Sequence, residues 1–446
     1  MDTIAAISTP SGTGALAVIR LSGNDAIAIA SRIFKPHNHL RTLTMVSAQS
    51  AVYGHTVNPT TCEVIDEVIA TPYHAPHSFT AEDMVEIACH GSLYIQRTIL
   101  HLLIDNGARM ATPGEFTKRA FINGRLDLAQ AEAIADVIGA RSSAAHALAI
   151  KQLNGDVSSR LAELRNKLVH LASLLELELD FSDHEDVEFA DRTELLQIAH
   201  NTEHEISRLC SSFAHGNAIK NGIPVAIIGK PNVGKSTLLN CLVGDDAAIV
   251  SDIAGTTRDS IERERDINGT LFRFIDTAGL HDTDDTIERL GIERPQKAID
   301  NASIVIHLIT PDTAAPTLSN ISSKNAHFIV VNKVDMAPEN YIPPKGAIAI
   351  SAKQGINIDA LLTALTEATD QPLEDVTITN ARHYDVLSHA HESIVRVING
   401  LEAGIPSDLV AQDLRECTSL LAEVTGGDIT PDEVLGNIFA KFCIGK

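Results

Sequence analysis

The sequence contains no tryptophan, and aromatic residues make up only 4% of it, which argues against a platform for stacking single-stranded bases. It has no CxxC pair. Cys62, Cys89, Cys210, Cys241, Cys417 and Cys443 are scattered without the Cys/His spacing of a zinc site or the pattern of a disulfide framework. A reducing, cytoplasmic setting fits that scatter. No uncharged apolar run approaches the roughly 18 residues of a membrane span. The start, Met1-Asp2-Thr3-Ile4, lacks the basic stretch of a signal peptide. Positive charge is also short, and a formal charge of −23 argues against a broad phosphate-binding surface. It leaves room for a local basic patch, or for a basic partner that makes the nucleic-acid contacts. What is present is an acidic chain of 446 residues, 44% hydrophobic. That length suits about three globular domains.

Residues 1–118 mix short β-rich runs with turns and read as an α+β domain. Ala15–Leu21, Asp66–Ala70 and Met84–Ala88 read as strands, and 91–106 as a helix carrying Leu93, Ile99, Leu102 and Leu103. Residues 119–215 are helical in pattern. One Ala-rich helix is expected over Leu126–Leu153, a second over Val157–Phe181 with Leu161, Leu164, Leu168, Leu171, Leu175 and Leu179, and a third over Arg192–Phe213. Residues 216–375 alternate strand and helix, with strands at Ile223–Ile228, Leu271–Ile275, Ile304–Ile309, Phe328–Val331 and Ile348–Ile350. That alternation predicts a parallel, doubly wound sheet. Residues 376–446 are helical again, at 381–402, 407–425 and 431–441. The economical architecture is one helical bundle into which the α/β domain is inserted, rather than two small bundles.

Gly229-Lys230-Pro231-Asn232-Val233-Gly234-Lys235-Ser236 matches GxxxxGK(S/T), between a predicted strand and a predicted helix. Such a loop turns backbone N–H groups onto phosphates; Lys235 reaches the β- and γ-phosphates and Ser236 ligates Mg²⁺. Asn332-Lys333-Val334-Asp335 follows a later strand, and its Asp can accept two hydrogen bonds from guanine that adenine cannot offer. Ser351-Ala352-Lys353 suits the loop that contacts guanine O6. Asp276-Thr277-Ala278-Gly279 supplies an Asp for Mg²⁺ through water and a Gly279 N–H for the γ-phosphate. Gly255-Thr256-Thr257-Arg258-Asp259 offers a threonine to complete the Mg²⁺ shell. Together these motifs specify a P-loop GTPase. Leu280 stands where Ras-like enzymes place the glutamine that orients the attacking water, so another group must do that work.

The spacing of GKPNVGKS, DIAGTTRD, DTAGL, NKVD and SAK resembles the TrmE–Era–Era-like–YihA group of translational GTPases. The start Asp2–Ile7 running on to Ile19–Gly23, the segment PGEFTKRAFINGRLDLAQAEAIADV at 113–137, and the end Phe442-Cys443-Ile444-Gly445-Lys446 narrow the resemblance. Over its full length the chain resembles the bacterial MnmE (TrmE) family of tRNA modification GTPases. That resemblance implies a homodimer working with the flavoprotein MnmG in a heterotetramer. The pair would install a carboxymethylaminomethyl or aminomethyl group on wobble uridine of certain tRNAs, using a tetrahydrofolate one-carbon donor. It implies a tetrahydrofolate-binding-like N-terminal domain at 1–118 and K⁺-dependent pairing of GTPase domains. Asn232 and the backbone oxygens of Ser251, Ile253 and Thr256 would hold K⁺. Ser236 and Thr257 would hold Mg²⁺, with Lys235 and Thr257 acting in catalysis. Val233, Gly234, Thr237, Asp252, Ala254 and Gly255 would complete the nucleotide shell with Asp276, Thr277, Ala278, Gly279, Asn332, Lys333, Asp335, Ser351, Ala352 and Lys353. Glu288 would orient the attacking water through a second water, or else is an exposed helix-face carboxylate.

For the folate, Arg20, Glu86, Arg125 and the terminal Lys446 match the family's positions. Arg20 and Glu86 have a plainer reading, as structural ion-pair partners. Arg125 stands where many relatives carry lysine, and a planar fork differs from an ammonium. Cys443 has apolar neighbours, which raise a thiol's pKa rather than activate it. The family's PPGRGG-type turn is here Thr9-Pro10-Ser11-Gly12-Thr13-Gly14. The competing function is a ribosome-assembly or regulatory GTPase that binds RNA without modifying it. Such factors usually append a basic domain, and nothing basic follows residue 375.

Overall fold

A computed structural model describes residues 2–180, 192–244, 262–276, 299–313, 326–369, 375–427, 432–440, 442 and 445. The chain forms two compact units, one of Met1–Ala135, Gln152–Leu195 and Asn399–Lys446, the other of Asp136–Lys151 and Leu196–Ile398.

The first unit is built on a seven-stranded sheet made from β1 (Ile4–Ile7), β2 (Leu16–Ser22), β3 (Phe34–Pro36), β4 (Val52–Val57), β5 (Val64–Tyr73), β6 (Met84–His90) and β7 (Arg109–Met110). Their order is β3-β4-β5-β6-β2-β1-β7, antiparallel except where β7 runs alongside β1. Strict alternation along β2 and β6 decides which side is core. Ala17, Ile19 and Leu21 face the same side as Val85, Ile87 and Cys89, and there they pack on α1 (Ala26–Ile33) and α2 (Leu93–Asp105). The opposite side carries Arg20 and Glu86, which are register partners. After α3 (Glu115–Ile122) come α4 (Leu128–Gly139), whose last turn falls in the second unit, α5 (Ser143–Leu153), which belongs to the second unit up to Lys151, and the long α6 (Asp156–Asp180) of the first.

The single helix expected over 126–153 is therefore two. Its Ala-rich pattern runs straight through the corner, but Ser142 opens a new helix by accepting the Ala145 N–H on Oγ (3.2 Å). In α6 the predicted stripe of Leu161, Leu164, Leu168, Leu171 and Leu175 is fully buried, and the Leu179 side chain lies outside the described set. It packs on the stripe of Val410, Leu414, Cys417, Leu421 and Val424 in a helix from Ser407 to Thr425. Helices before and after the GTPase segment thus pack together.

The second unit contains α7 (Arg192–Asn221), which runs past the expected end at Phe213 and leads straight into β8 (Ile223–Ile228). Then follow α8 (Lys235–Val243), β9 (Glu262–Ile267), β10 (Thr270–Asp276), β11 (Ile304–Ile309), β12 (Ala326–Val331), β13 (Ile348–Ala349) and α9 (Ile358–Glu367). The sheet order is β13-β12-β11-β8-β10-β9. Every pairing is parallel except β9 with β10, so the expected parallel sheet carries one antiparallel edge. β9 reads Glu-Arg-Glu-Arg-Asp-Ile, a charged edge with no apolar period to betray it. Next comes α10 (Ala381–Glu402), in this unit up to Ile398, followed by α11 (Ser407–Thr425) and α12 (Asp432–Phe439), which belong to the first unit. Phe213 of α7 stacks on Tyr384 of α10 with centroids 4.5 Å apart, and His391 of α10 bonds Glu203 of α7 at 2.7 Å.

Candidate functional site

The C-terminal ends of β8, β10, β11, β12 and β13 lie along one edge of the second sheet, where doubly wound folds bind ligands. The loop Gly229–Gly234 leaves β8 there and opens α8. Asn232 takes a left-handed conformation (φ 64°), which asparagine tolerates. Gly234 (φ 100°) has no room for a side chain, because a β-carbon would strike the Asn332 amide. Lys235 Nζ donates to Gly229 O at 2.9 Å and Lys230 O at 3.1 Å, which folds its ammonium back over the phosphate-binding loop. Ser236 and Thr237 are exposed in the first turn of α8.

Asn332 organises the site. It is only 3% exposed; its Nδ2 donates to Val233 O (2.9 Å) and its Oδ1 accepts from Ala352 N (3.0 Å). One side chain thus ties the phosphate loop to the Ser351–Lys353 loop. Lys333 (φ 63°) adds a second tie, from Nζ to Asn232 O at 2.7 Å. Asp335 is exposed, and among the described residues its Oδ2 takes only a long contact of 3.4 Å from Gln354 Nε2. Sequence reasoning did not single out Gln354; one position beyond the Ser-Ala-Lys loop, nothing local distinguishes it. Asp276 sits at the end of β10 opposite Ile227, on the strand that feeds the phosphate loop. Ser251, Asp252, Ile253, Ala254, Gly255, Thr256, Thr257, Thr277, Ala278, Gly279, Leu280, Glu288, Cys443 and Lys446 lie outside the described residues.

A second candidate site lies on the open side of the N-terminal sheet. A cavity of about 510 Å³, a size suited to a small molecule, is lined by Gln49, Tyr73, Pro76, His77, Ser78, Phe79, Met84, Glu86 and Arg125. Arg20 grips Glu86 through Nη2 at 2.7 Å and Nε at 2.9 Å, so the two form an ion pair of which Glu86 lines the cavity. Tyr73 completes it by donating from its hydroxyl to the other Glu86 oxygen (3.2 Å). Burial, and then the charge of Glu86, push the Tyr73 pKa up, so it remains a donor. Arg20 and Arg125 approach the Phe79 ring with their guanidinium carbons 5.3 and 5.1 Å from its centroid. Arg125 also donates to Phe79 O at 2.6 Å. Tyr73 and Phe79 escaped the sequence reading because only the sheet and the 74–83 connection bring them beside Glu86.

The PGEFTKRA segment turns out to anchor the N-terminus. Arg119, 4% exposed, holds Asp2 (2.7 Å), Glu82 (3.1 Å) and Glu115 (3.2 Å). Arg109 holds Asp2 (2.7 Å) and Glu115 (2.6 Å). Hydrogen bonding to Arg109 draws the Asp2 pKa down to about 2. Burial alone would raise Glu115, but bonds from Arg109 and the Thr112 N–H outweigh it and bring Glu115 to about 2. Near this anchor the end of the chain folds back. Ser8 Oγ donates to Gly445 O (3.1 Å), and Gly114 (φ 67°) lets α12 pass so closely that a β-carbon would strike Phe439 O.

Comparison with known proteins places these features in a family. Residues 3–125 match the model described as GTP-binding protein TrmE N-terminus, and residues 128–443 match the MnmE helical domain. The chain is 52% identical over 467 aligned positions to the tRNA modification GTPase MnmE of Parabacteroides distasonis, covering all of both chains. It is 48% identical to the tRNA modification GTPase MnmE of Bacteroides thetaiotaomicron, covering all of this chain and 99% of that one. Among solved structures, the FeoB G-domain of Methanococcus jannaschii matches 33% of this chain and 97% of its own length, at 23% identity and a TM-score of 0.24.

Proposed function

The chain belongs to the MnmE family of tRNA modification GTPases, and from that premise we propose a K⁺-activated GTPase that acts with a flavoprotein partner on the wobble uridine of certain tRNAs. GTP hydrolysis in tRNA modification comes with the family. The rest is our reading: with the flavoprotein MnmG, the chain builds the 5-carboxymethylaminomethyl or aminomethyl group from a tetrahydrofolate one-carbon donor. We assign 1–118 to folate binding and dimerisation, 119–215 and 376–446 to the helical part, and 216–375 to the inserted GTPase domain.

The observation that carries the GTPase assignment is the bridging of the phosphate loop and the base-recognition loop by Asn332. It sets Asp335 at a fixed reach from Lys235, as binding one guanine nucleotide requires. Ser236 and Thr257 would hold Mg²⁺, which neutralises charge on the β- and γ-phosphates. Asn232 supports the potassium assignment: its side chain is exposed and makes no hydrogen bond among the described residues. The backbone oxygens of Ser251, Ile253 and Thr256 would complete the shell. Glu288 would act as the acceptor that orients water, the work Leu280 cannot do. In the N-terminal cavity Arg125 would offer a cation for an acidic ligand tail and Glu86 an acceptor for a ring N–H; Arg20, paired with Glu86, and Lys446 would add further cations. Substrate tRNA would be held mainly by the flavoprotein, since this chain carries a charge of −23.

The direct test is reconstitution of the full chain with the flavoprotein, tRNA, GTP and methylene-tetrahydrofolate, followed by nucleoside analysis. Modified wobble uridine should form only when all components are present. Normal modification in tRNA from a deletion strain would overturn the proposal. Separately, GTP turnover should be faster in K⁺ than in Na⁺, and equal rates would remove the potassium assignment.

A further inference from the structure

The strand pair that joins the two nucleotide-sensing segments is fastened at its tip to a helix outside the GTPase motifs. β9 begins three residues after the Gly255–Asp259 motif, and β10 ends on Asp276, the first residue of Asp-Thr-Ala-Gly. Between them Ile267 pairs with Thr270 across a two-residue turn, Asn268 (φ 52°) and Gly269 (φ 85°). Both turn residues are left-handed, the geometry that matches the twist of paired strands. Asp266 Oδ1 accepts the Gly269 N–H at 2.8 Å, so the turn is locked from within its own hairpin. Pairing along the whole of β9 makes the ribbon stiff, and it extends roughly 20 Å from Asp276 to the tip.

At that tip Gly269 O accepts two hydrogen bonds from the start of α5, from Ala144 N (3.1 Å) and Ser143 Oγ (3.3 Å). The Ala144 N–H belongs to the first turn of α5, whose donors have no partner within the helix, so the hairpin carbonyl serves as a cap. A β-carbon on Gly269 would run into Ser143 Oγ, which is why the approach requires glycine. Along the ribbon, Arg141 pairs with Glu264 of β9. Behind the contact, Ala145 and Leu148 of α5 pack on Ile219 of α7, and Lys220 Nζ holds Asp136 of α4 at 2.7 Å. The hairpin tip, the α4–α5 corner and the end of α7 are one block.

We propose that Arg141, Ser143 and Gly269 form a coupling latch: movement of the β9–β10 ribbon during the GTP cycle is delivered through Gly269 to the α4–α5 corner. α4 runs continuously from Leu128, three residues beyond Arg125 of the folate cavity. These are positioning residues that touch no nucleotide, and the inference rests on the proposed role of GTP in driving modification. The exposed Arg141–Glu264 pair contributes little stability by itself. The two hydrogen bonds on one carbonyl carry the latch, and the ion pair sets its register.

The test measures modified uridine formed per GTP hydrolysed, with the full chain, flavoprotein, tRNA and methylene-tetrahydrofolate. Ser143→Asp introduces an acidic group that a helix start favours, yet sets a carboxylate against the Gly269 carbonyl. Its kcat and KM for GTP should stay within about twofold of wild type, as for a site sharing no partners with the nucleotide. Modified uridine per GTP should fall by about tenfold, the scale of losing one or two hydrogen bonds. Arg141→Glu should lower the yield in the same way, and adding Glu264→Arg should restore it, which a general loss of stability would not allow. Unchanged yield per GTP in Ser143→Asp would overturn the latch, and so would equal losses in turnover and yield. A wild-type control with GDP in place of GTP separates the two readings. Full yield with GDP sinks the GTP-driven premise itself, whereas a GTP-dependent wild type beside a fully coupled variant sinks only the latch.

Discussion

At the scale of single residues, the GTP site depends most on a side chain that need not touch the nucleotide. Asn332 satisfies a buried carbonyl at Val233 and a buried N–H at Ala352, and it fills the space that Gly234 leaves open. Asn332→Ala would strand both groups, and each unsatisfied group costs about 1–3 kcal/mol. Two losses are therefore expected together: a lower thermal midpoint for the GTPase segment, and GTP affinity reduced by about tenfold or more in nucleotide titration. An intact affinity beside a lowered midpoint would show that the two loops are aligned by something else. In the N-terminal cavity, Tyr73 and Arg20 occupy both oxygens of Glu86 and fix the direction in which its carboxylate can accept.

At the scale of elements, an ionic cluster joins the start of β1 to α3 through Asp2, Arg109, Glu115 and Arg119. Asp2 and Glu115 have folded-state pKa values of about 2, below the usual carboxylate range. Depressed acids add stability that is complete above their unfolded pKa, near 4, and disappears as pH falls towards the folded value. The thermal midpoint of the N-terminal part should therefore be flat from neutral pH down to about 5 and then fall between about 4 and 2. Arg109→Gln should flatten that acid limb; parallel limbs in the two proteins would mean that these carboxylates are not the titrating groups. The corner between α4 and α5 belongs to this scale as well. Ser142 caps α5 where the run of alanines alone would carry one helix through.

At the scale of the molecule, net charge bears on the proposed division of labour with the flavoprotein. With a net charge of −23, the chain alone should bind tRNA weakly and with a shallow dependence on salt, because few counterions are released. Adding the flavoprotein should raise affinity and steepen the salt slope together. A steep slope for this chain alone would assign the tRNA contacts to it. No helix among the described residues is long and apolar enough to cross a membrane. The GTPase motifs interrupt a helical region whose flanking helices pair, α6 with α11 and α7 with α10.

By itself the sequence determined the GTPase motifs and the sidedness of the helices and strands. Both are written at short range: a phosphate loop needs its glycines and lysine in consecutive positions, and a half-buried helix repeats every three or four residues, as α6 and α10 do. Only the tertiary structure decided what lies between distant positions. It paired Arg20 with Glu86 across a sheet, brought Tyr73 and Phe79 to the same cavity, and made Arg119 the anchor of the N-terminus. It also revealed β9, whose alternating charges carry no apolar period, and set the hairpin tip on α5. Such contacts join residues far apart in the chain, 126 positions for Ser143 and Gly269 and 437 for Ser8 and Gly445, and local periodicity holds no record of them. The GTPase motifs were therefore legible in the sequence, while the contacts between the hairpin tip and α5 were not.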